Sequence, residues 1–252
     1  MPVRDIIAIG ASAGGVETLR TVVERLPAKL IAAVFAVVHV HPGANSMLPQ
    51  VLARRAQVPV SHAKDGETIR PGHIYVAPPD HHLLVNEGHV RLSRGPRENG
   101  VRPAIDALFR SAAVCCGPRV VGVVLTGMLN DGTAGLMAIK RCGGLAVVQD
   151  PADALFPPMP QSALEHVEVD HCVPAADIGP LLGRVAGQPA NDAPAAPDAL
   201  TVETRIAEGE PLNVATTGLA LPSTYSCPDC GGVLNENARH LAVHAVSMPG
   251  RA

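Results

Sequence analysis

The sequence predicts an α/β fold: a doubly wound, mainly parallel sheet with helices on both faces and an antiparallel hairpin excursion. Short apolar runs alternate with amphipathic segments along residues 5–185, and within the apolar runs polar residues do not alternate with apolar ones. Strands of that kind are buried on both faces, as in parallel sheets covered by helices. Of the 252 residues, 47% are hydrophobic and 17% charged, so the chain can bury the core that such a sheet requires.

The first unit of this alternation is a strand, a helix and a second strand. Residues 5–9 form an apolar run, residues 15–26 carry apolar side chains at helical spacing, and residues 32–39 form a second apolar run that ends in a histidine. This succession predicts two parallel strands joined by a helical crossover.

The middle of the chain departs from this pattern. Three short segments, residues 73–77, 83–86 and 90–93, are separated by Pro78-Pro79-Asp80 and by Glu87-Gly88. Turn-forming residues between short strands predict an antiparallel excursion with a tight hairpin turn.

The later units return to alternating strands and helices. Pro103 suits a first helical position and predicts a helix over residues 104–116, with a buried stripe formed by Ile105, Leu108, Phe109 and Ala112. Residues 119–125 and 145–148 form apolar strands that flank a helix over residues 133–141. Both strands are expected in the interior of the sheet.

Composition changes after residue 186 and predicts three regions. Residues 1–186 form the globular domain, residues 187–222 a Pro/Ala-rich linker without hydrophobic periodicity, and residues 223–252 a short Cys/His tail.

The tail contains a candidate zinc knuckle. Cys227 and Cys230 stand in a C-P-x-C-G-G sequence, whose two thiolates suit one half of a tetrahedral zinc site. His240 and His244, at H-x3-H spacing, are the candidates for the other half, although their distance from Cys230 along the chain is shorter than in most zinc fingers. The tail is thus either a structural zinc site or a remnant that holds no metal.

Charge and hydropathy exclude several classes of function. The formal charge is −3 and the sequence has no basic cluster, so we expect no nucleic-acid partner. The longest apolar run, residues 30–38, is far shorter than the roughly 20 residues that span a membrane, and the N-terminal run is too short for a signal peptide. The six cysteines follow no disulfide framework. We expect a cytoplasmic protein without membrane insertion.

Ser12 lies in the first turn after a strand, in the sequence Gly10-Ala11-Ser12-Ala13-Gly14-Gly15. This matches G-x-S-x-G between a strand and a helix, where a sharp turn exposes a nucleophilic serine. The alternative is that Ser12 only caps the following helix, because serine is a preferred N-cap residue. A dinucleotide-binding turn would need glycine in place of Ser12, and a phosphate-binding P-loop would need a lysine after the glycines.

A histidine and an aspartate follow two other predicted strands. His39 ends the second strand, and His41 is its rival because side chains two residues apart share a face in an extended segment. Asp131 follows the strand over residues 119–125 and could orient the histidine through its Nδ1–H, or could only cap the next helix. The carboxyl ends of parallel strands share one edge, so these side chains and Ser12 are expected to meet.

Six motifs in this order resemble the catalytic domain of the chemotaxis protein-glutamate methylesterases, over about residues 5–186. They are the Ser12 turn, Val37-Val38-His39, Gly72-His73-Ile74-Tyr75-Val76-Ala77-Pro78, Arg102-Pro103-Ala104-Ile105-Asp106-Ala107-Leu108-Phe109, Thr126-Gly127-Met128-Leu129-Asn130-Asp131-Gly132 and Met159-Pro160.

The resemblance implies a serine hydrolase that demethylates glutamate γ-methyl esters on chemoreceptors or similar signalling proteins, releases methanol and, in related members, deamidates glutamine. By motif position it implies that Ser12 is the nucleophile, His39 the general base and Asp131 its orienter, with the backbone N–H of Met128 in the oxyanion hole. It decides for His39 over His41. No cofactor is implied for catalysis.

Two departures from the family pattern bear on rate and regulation. Ala13 stands where the family usually has threonine, so a hydroxyl near the reaction centre is missing and slower turnover is expected. The first strand starts near residue 5, so we expect a stand-alone enzyme without a receiver domain, controlled in trans by a response regulator or acting beside a methyltransferase. The alternative function is a non-catalytic regulatory module of the same fold.

Overall fold

The computed structural model describes residues 2–40, 43, 46–192 and 195–210, and the backbone of residues 221–226 and 233–236. Its centre is a seven-stranded sheet in which every pairing is parallel. The strand order is β3-β4-β2-β1-β7-β8-β9. These strands are β1 (Ile6–Ala11), β2 (Ala33–Val38), β3 (Val60–His62), β4 (Ile74–Val76), β7 (Val120–Val124), β8 (Leu145–Gln149) and β9 (His171–Val173).

Helices cover both faces of this sheet, which confirms the predicted fold class. One face packs against α1 (Gly15–Glu24), α2 (Leu48–Ala53) and α6 (Ala175–Val185). The other face packs against α3 (Ile105–Cys116), α4 (Thr133–Arg141), α5 (Pro158–His166) and the hairpin of β5 (His82–Asn86) and β6 (His89–Ser93). Successive residues of β1 belong to opposite layers: Ile7 and Ile9 to the first, Ile6 and Ala8 to the second.

The antiparallel excursion is smaller than predicted. Of the three predicted segments, β5 and β6 pair antiparallel with each other, whereas β4 lies inside the main sheet between β2 and β3. All three residues of β4 are fully buried, with Ile74 and Val76 in one core layer and Tyr75 in the other. A strand that is apolar on both faces needs cover on both faces, and a position inside the sheet provides it.

The helix predicted over residues 104–116 begins one residue later than expected. Ala104 has extended backbone angles and is the N-cap, so the first helical residue is Ile105. The predicted stripe of Ile105, Leu108, Phe109 and Ala112 is fully buried. This face of α3 packs on the sheet and on α4.

A helix interrupts the segment that composition predicts to be linker. α7 (Asp198–Ala207) lies within residues 187–222 and packs against α3. Its Ala207 is fully buried, and Leu200 contacts the core layer that contains α3. The linker prediction therefore does not hold for residues 198–207, because the few apolar positions of α7 meet a surface that sequence alone does not reveal.

Two further strands lie in the tail, β10 (Leu221–Ser226) and β11 (Val233–Glu236), and they pair antiparallel. In the described part of the chain, no helix is both long enough and apolar enough to cross a membrane.

Packing between α3 and α4 predicts an unusual response to a glycine substitution. Replacing Gly135 with alanine would place a Cβ 2.5 Å from the Phe109 Cβ and 3.0 Å from the Asp106 Cα. Glycine to alanine ordinarily stabilises a helix interior by about 1 kcal/mol. Here we expect Gly135→Ala to lower the free energy of unfolding by about 1–3 kcal/mol, because the helices must separate.

The matched control is the reverse exchange at the adjacent exposed position, Ala134→Gly, which should cost only about 0.5–1 kcal/mol. Urea denaturation monitored by circular dichroism measures both changes. A Gly135→Ala protein as stable as the wild type would contradict the close packing.

Candidate active site

Ser12 stands in the turn between β1 and α1, at the carboxyl edge of the sheet. Its N–H donates to the Thr126 carbonyl at 3.0 Å, and its own carbonyl accepts the Gly15 N–H at 2.8 Å. The N-cap of α1 is Gly14, with φ of 72° and no side-chain capping hydrogen bond. The capping alternative for Ser12 is therefore wrong, and its hydroxyl is available for another partner.

That partner is His39, which lies directly after β2. Its Nδ1 is 3.0 Å from the Ser12 Oγ, and its Nε2 is 2.7 Å from the Asp131 Oδ2. Because a carboxylate only accepts, Nε2 carries the proton, and Nδ1 accepts from the serine hydroxyl. His41 lies outside the described residues.

The two ring nitrogens have the opposite partners to those predicted: Asp131 bonds to Nε2, not to Nδ1–H. The order of the strands explains this, since β1 lies between β2 and β7. The nitrogen nearer to the His39 backbone meets Ser12 after β1, and the more distant nitrogen extends to Asp131 beyond β7.

Asp131 is almost completely buried and accepts four hydrogen bonds. Besides His39, the donors are the N–H groups of Ile105 at 2.8 Å and Asp106 at 3.1 Å and the Asn99 amide at 2.9 Å. Burial alone would raise the pKa of Asp131, but the bonds from His39 and the backbone outweigh burial and lower it. Asp131 does not cap α4, whose N-cap is Gly132, and instead binds the first turn of α3.

Asp106 bonds to the start of α4 in the same way that Asp131 bonds to the start of α3. It lies in the first turn of α3 and accepts the N–H groups of Gly132 at 3.0 Å and Gly135 at 2.6 Å, at the start of α4. The same Asn99 amide donates to it at 2.9 Å. Burial and the charge of Asp131 raise the pKa of Asp106 to about 7.

The sequence reasoning missed both Asn99 and Asp106 as site residues. Asp106 could have been predicted, because an aspartate in an otherwise apolar first helical turn is expected to bind backbone N–H groups. Asn99 carried only the Asn-Gly signature of a turn.

The turn after β7 comes into direct contact with Ser12. A Cβ on Gly127 would lie 2.8 Å from the Ser12 Cβ and would overlap the Met159 sulfur. The hydroxyl of Thr126 donates to the Ala13 carbonyl at 3.1 Å and accepts the Phe156 N–H at 2.8 Å. These contacts fix the backbone that leads into Met128 beside the serine.

Two backbone N–H groups beside Ser12 have no acceptor among the residues that the structure describes. Within the described residues, neither the N–H of Ala13 nor that of Met128 donates a hydrogen bond. Ala13 directly follows Ser12, and Met128 directly follows Gly127, which lies against the Ser12 side chain. Both are available to an oxygen atom of a substrate.

The four residues of the candidate zinc site, Cys227, Cys230, His240 and His244, all lie outside the described residues. Among the residues that are described, no group of three or more His, Cys, Asp or Glu side chains is placed to hold a metal ion.

A serine, a histidine and a buried carboxylate in hydrogen-bonded succession, at the point where the strand order of a doubly wound sheet reverses, have the arrangement found in serine hydrolases. The order Ser…His…Asp along the chain differs from that of α/β-hydrolases. The fold and site thus place this arrangement on a scaffold other than that of the α/β-hydrolases.

Comparison with known proteins identifies the family. A model of the CheB methylesterase family matches residues 7–182, and the chain belongs to this family. It is 37% identical over 182 residues to a putative protein-glutamate methylesterase/protein-glutamine glutaminase of Leptospira interrogans, covering 72% of this chain and 94% of that protein. It is 40% identical over 181 residues to protein-glutamate methylesterase/protein-glutamine glutaminase 2 of Pseudomonas aeruginosa, covering 70% of this chain and 52% of that protein.

A solved structure shows the same fold. The CheB methylesterase catalytic domain of Thermotoga maritima is similar with a TM-score of 0.69 and 33% identity, over 72% of this chain and 98% of that one. Helix α7 lies beyond the residues that the family model matches.

The contact between Gly127 and Ser12 predicts that a single methyl group disrupts the site. In Gly127→Ala the new Cβ must displace Ser12 or Met159, and a shift of about 1 Å at a reacting group can cost about 100-fold in rate. We expect a loss of that size in the rate at which a fluorophosphonate labels Ser12.

Gly66→Ala adds the same methyl group where no atom lies within 4 Å, so it should leave labelling unchanged despite some backbone strain at φ of 73°. Labelling should be measured below the unfolding temperature of both variants. Equal labelling of Gly127→Ala and wild type would show that the turn is not in contact with the serine.

Proposed function

We propose that this chain is a protein-glutamate methylesterase that hydrolyses γ-methyl esters of glutamate side chains on chemoreceptors or similar signalling proteins. The observation that carries the proposal is the hydrogen-bonded succession of Ser12, His39 and Asp131. Membership of the CheB methylesterase family supports a methyl ester as the substrate. The names of the relatives, protein-glutamate methylesterase/protein-glutamine glutaminase, support the same substrate class.

In the first half of the reaction, the Ser12 Oγ attacks the ester carbonyl while its proton passes to the His39 Nδ1. Asp131 stabilises the resulting imidazolium through the Nε2–H and fixes the tautomer in which Nδ1 is free to accept. The tetrahedral intermediate collapses as the Nδ1 proton moves to the methoxide oxygen. Methanol leaves, and the glutamyl group stays bonded to Ser12.

In the second half, water takes the place of the serine hydroxyl. His39 Nδ1 accepts a proton from the attacking water and then returns it to the Ser12 Oγ as the acyl bond breaks. The products are a glutamate carboxylate and free enzyme. Water is the only co-reactant, and the carboxylic acid that it forms releases one proton to the solvent.

The N–H groups of Met128 and Ala13 would form the oxyanion hole. Neither has an acceptor within the described part of the chain, and both belong to backbone segments in contact with Ser12. A preorganised donor of this kind is worth about 100- to 1,000-fold in rate. Because Ala13 contributes through its backbone, this role does not need the threonine hydroxyl that usually stands at its position in the family.

Deamidation of glutamine is the second activity that we propose for the same site. A glutamine side chain differs from the methyl ester only in carrying NH2 in place of the methoxy group. The Nδ1 proton of His39 would then move to the amide nitrogen, so that ammonia leaves. Glutaminase activity in the names of the relatives supports this extension.

The surroundings of the site suit a macromolecular substrate. Leu155 and Phe156 lie beside the Ser12 turn, since a Cβ on Gly14 would contact both within about 3.3 Å. Leu155 is 72% exposed, and Leu129 in the turn after β7 is 74% exposed. They would bind the segment of the substrate that carries the methylated glutamate.

Substitution of the nucleophile tests this function directly. Ser12→Ala should abolish release of methanol from a methylated receptor, and His39→Ala should be nearly as damaging, because triad members act as a unit. The unfolding temperature of Ser12→Ala should be unchanged, since Ser12 caps no helix.

The same experiment tests the alternative, a regulatory module without catalysis. A wild-type protein that reacts with a fluorophosphonate at Ser12 and releases methanol excludes that alternative. A wild type that does neither, or a Ser12→Ala variant within tenfold of wild-type activity, contradicts the serine mechanism.

For the tail we infer a structural zinc ion bound by Cys227, Cys230, His240 and His244, on the spacing of these residues alone. Purified protein should contain about one zinc ion per chain by elemental analysis, and the double variant Cys227→Ser/Cys230→Ser should contain none. Chelation should leave methanol release unchanged, because the triad mechanism uses no metal. Wild-type protein free of zinc would reject this site.

A further inference from the structure

Two buried carboxylates share one amide beside the reaction centre. The two hydrogens of the Asn99 Nδ2 match two acceptors, Asp131 Oδ1 and Asp106 Oδ2, each at 2.9 Å. The other bonds to the pair come from backbone N–H groups at the starts of α3 and α4 and from His39. Asn99 is therefore the only side chain that bonds to both carboxylates among the described residues.

We propose that Asn99 is a positioning residue for the hydrolysis: its amide holds Asp131 and Asp106 as a fixed pair and keeps the Asp131 Oδ2 in place for the His39 Nε2. The proposal rests on the proposed function for its reaction and adds a residue to it. Asn99 is not expected to touch the substrate.

The pair needs such a donor because of its charge. Burial of two neighbouring carboxylates favours uptake of a proton, and burial together with Asp131 raises the pKa of Asp106. The titratable and charged groups that face the pair are His39 after β2, Glu98 in the turn before α3 and Arg110 on α3. A proton on Asp131 would remove an acceptor from His39. An amide that cannot titrate stabilises the charged form of both carboxylates.

The backbone presents Asn99 rigidly. Glu98 and Val101 exchange two backbone hydrogen bonds, so Asn99 and Gly100 occupy the centre of a tight turn with φ of 52° and 74°. Asparagine and glycine are the residues that accept these positive φ angles at lowest cost. The turn geometry therefore fixes where the amide points.

The turn formed by residues 98–101 is itself bonded to the rest of the domain. The Glu98 carboxylate bonds to the buried Arg110 at 2.6 Å, and Arg110 also faces Glu203 on α7 at 3.5 Å. Helix α7 thus lies behind the turn that carries Asn99, although it is outside the region matched by the family model. Arg110 connects the two.

Two substitutions of Asn99 test the role of its side-chain amide separately from its role in the backbone turn. Asn99→Gly removes the amide but keeps a residue that adopts positive φ without strain. Asn99→Asp keeps the shape of the side chain but replaces the donor with a third carboxylate. Asn86→Asp is the matched control, because Asn86 is an exposed residue at the β5–β6 turn. Its side chain accepts the Glu87 N–H and makes no other hydrogen bond within the described residues.

The experiment measures the rate of fluorophosphonate labelling of Ser12 in the full chain between pH 5 and 9, together with thermal unfolding. We expect Asn99→Gly to label about 10- to 100-fold more slowly at neutral pH, because the Asp131–His39 geometry loosens. The acid limb of the profile should move to higher pH, since the pair without its shared donor binds a proton more readily. Asn99→Asp should move it further, and Asn86→Asp should match the wild type.

A structural role alone gives a different result. Equal rates in wild type and both Asn99 variants, or a loss that is the same at every pH with Asn99→Asp no worse than Asn99→Gly, would overturn the proposal. If either variant unfolds at the assay temperature, the Nε2–H proton of His39 in the NMR spectrum of the other provides the readout. That resonance should shift or broaden relative to the wild type, and an unchanged resonance would also overturn the proposal.

Failure of the proposed function can be distinguished from failure of this inference. If wild-type protein labels at Ser12 but releases no methanol from a methylated receptor, the substrate is wrong and the Asn99 comparison still holds. If wild-type protein does not label, the NMR comparison alone decides the positioning role.

Discussion

Two buried aspartates that cap each other's helices hold this site together. Asp131 stands immediately before α4 but accepts the first N–H groups of α3, and Asp106 in α3 accepts those at the start of α4. The positive ends of two helix dipoles therefore converge on two buried carboxyl groups, which makes their burial tolerable. Asp131, the carboxylate that orients His39, thus also joins the start of α4 to the start of α3. Each hydrogen bond to a charged group contributes about 1.5–3 kcal/mol to this connection.

The order of the strands in the sheet then determines how Ser12, His39 and Asp131 are arranged. Because β1 lies between β2 and β7, the residues that follow these strands line up as His39, Ser12 and Asp131 along one edge. His39 must bridge from one side of Ser12 to the other, which brings its Nδ1 to the serine and its Nε2 to the aspartate. The assignment of the ring nitrogens is thus a consequence of strand order.

Side-chain size couples the core to the chemistry. A Cβ on Gly10 or on Gly132 would collide with the side chain of Ile105, whose N–H donates to Asp131. Glycine in β1 and in the turn before α4 lets Ile105 fill the space between them. The absence of a side chain at Gly127 likewise leaves room for the side chains of Ser12 and Met159. The site is therefore positioned by close packing as well as by hydrogen bonds.

The sequence alone determined the fold class, the positions of most strands and of helices α1, α3 and α4, and the three residues that the structure brings together as Ser12, His39 and Asp131. Periodicity and turn residues report whether a local segment is buried, so they identify strands and the turns at their ends. Only the tertiary structure decided that β4 joins the main sheet, that α7 packs on α3, that Ser12 caps no helix, and that Asn99 and Asp106 belong to the site. Each of these depends on a contact with a segment distant in sequence, and the hydrophobic pattern of one segment does not specify which distant partner will satisfy its polar groups or cover its apolar face.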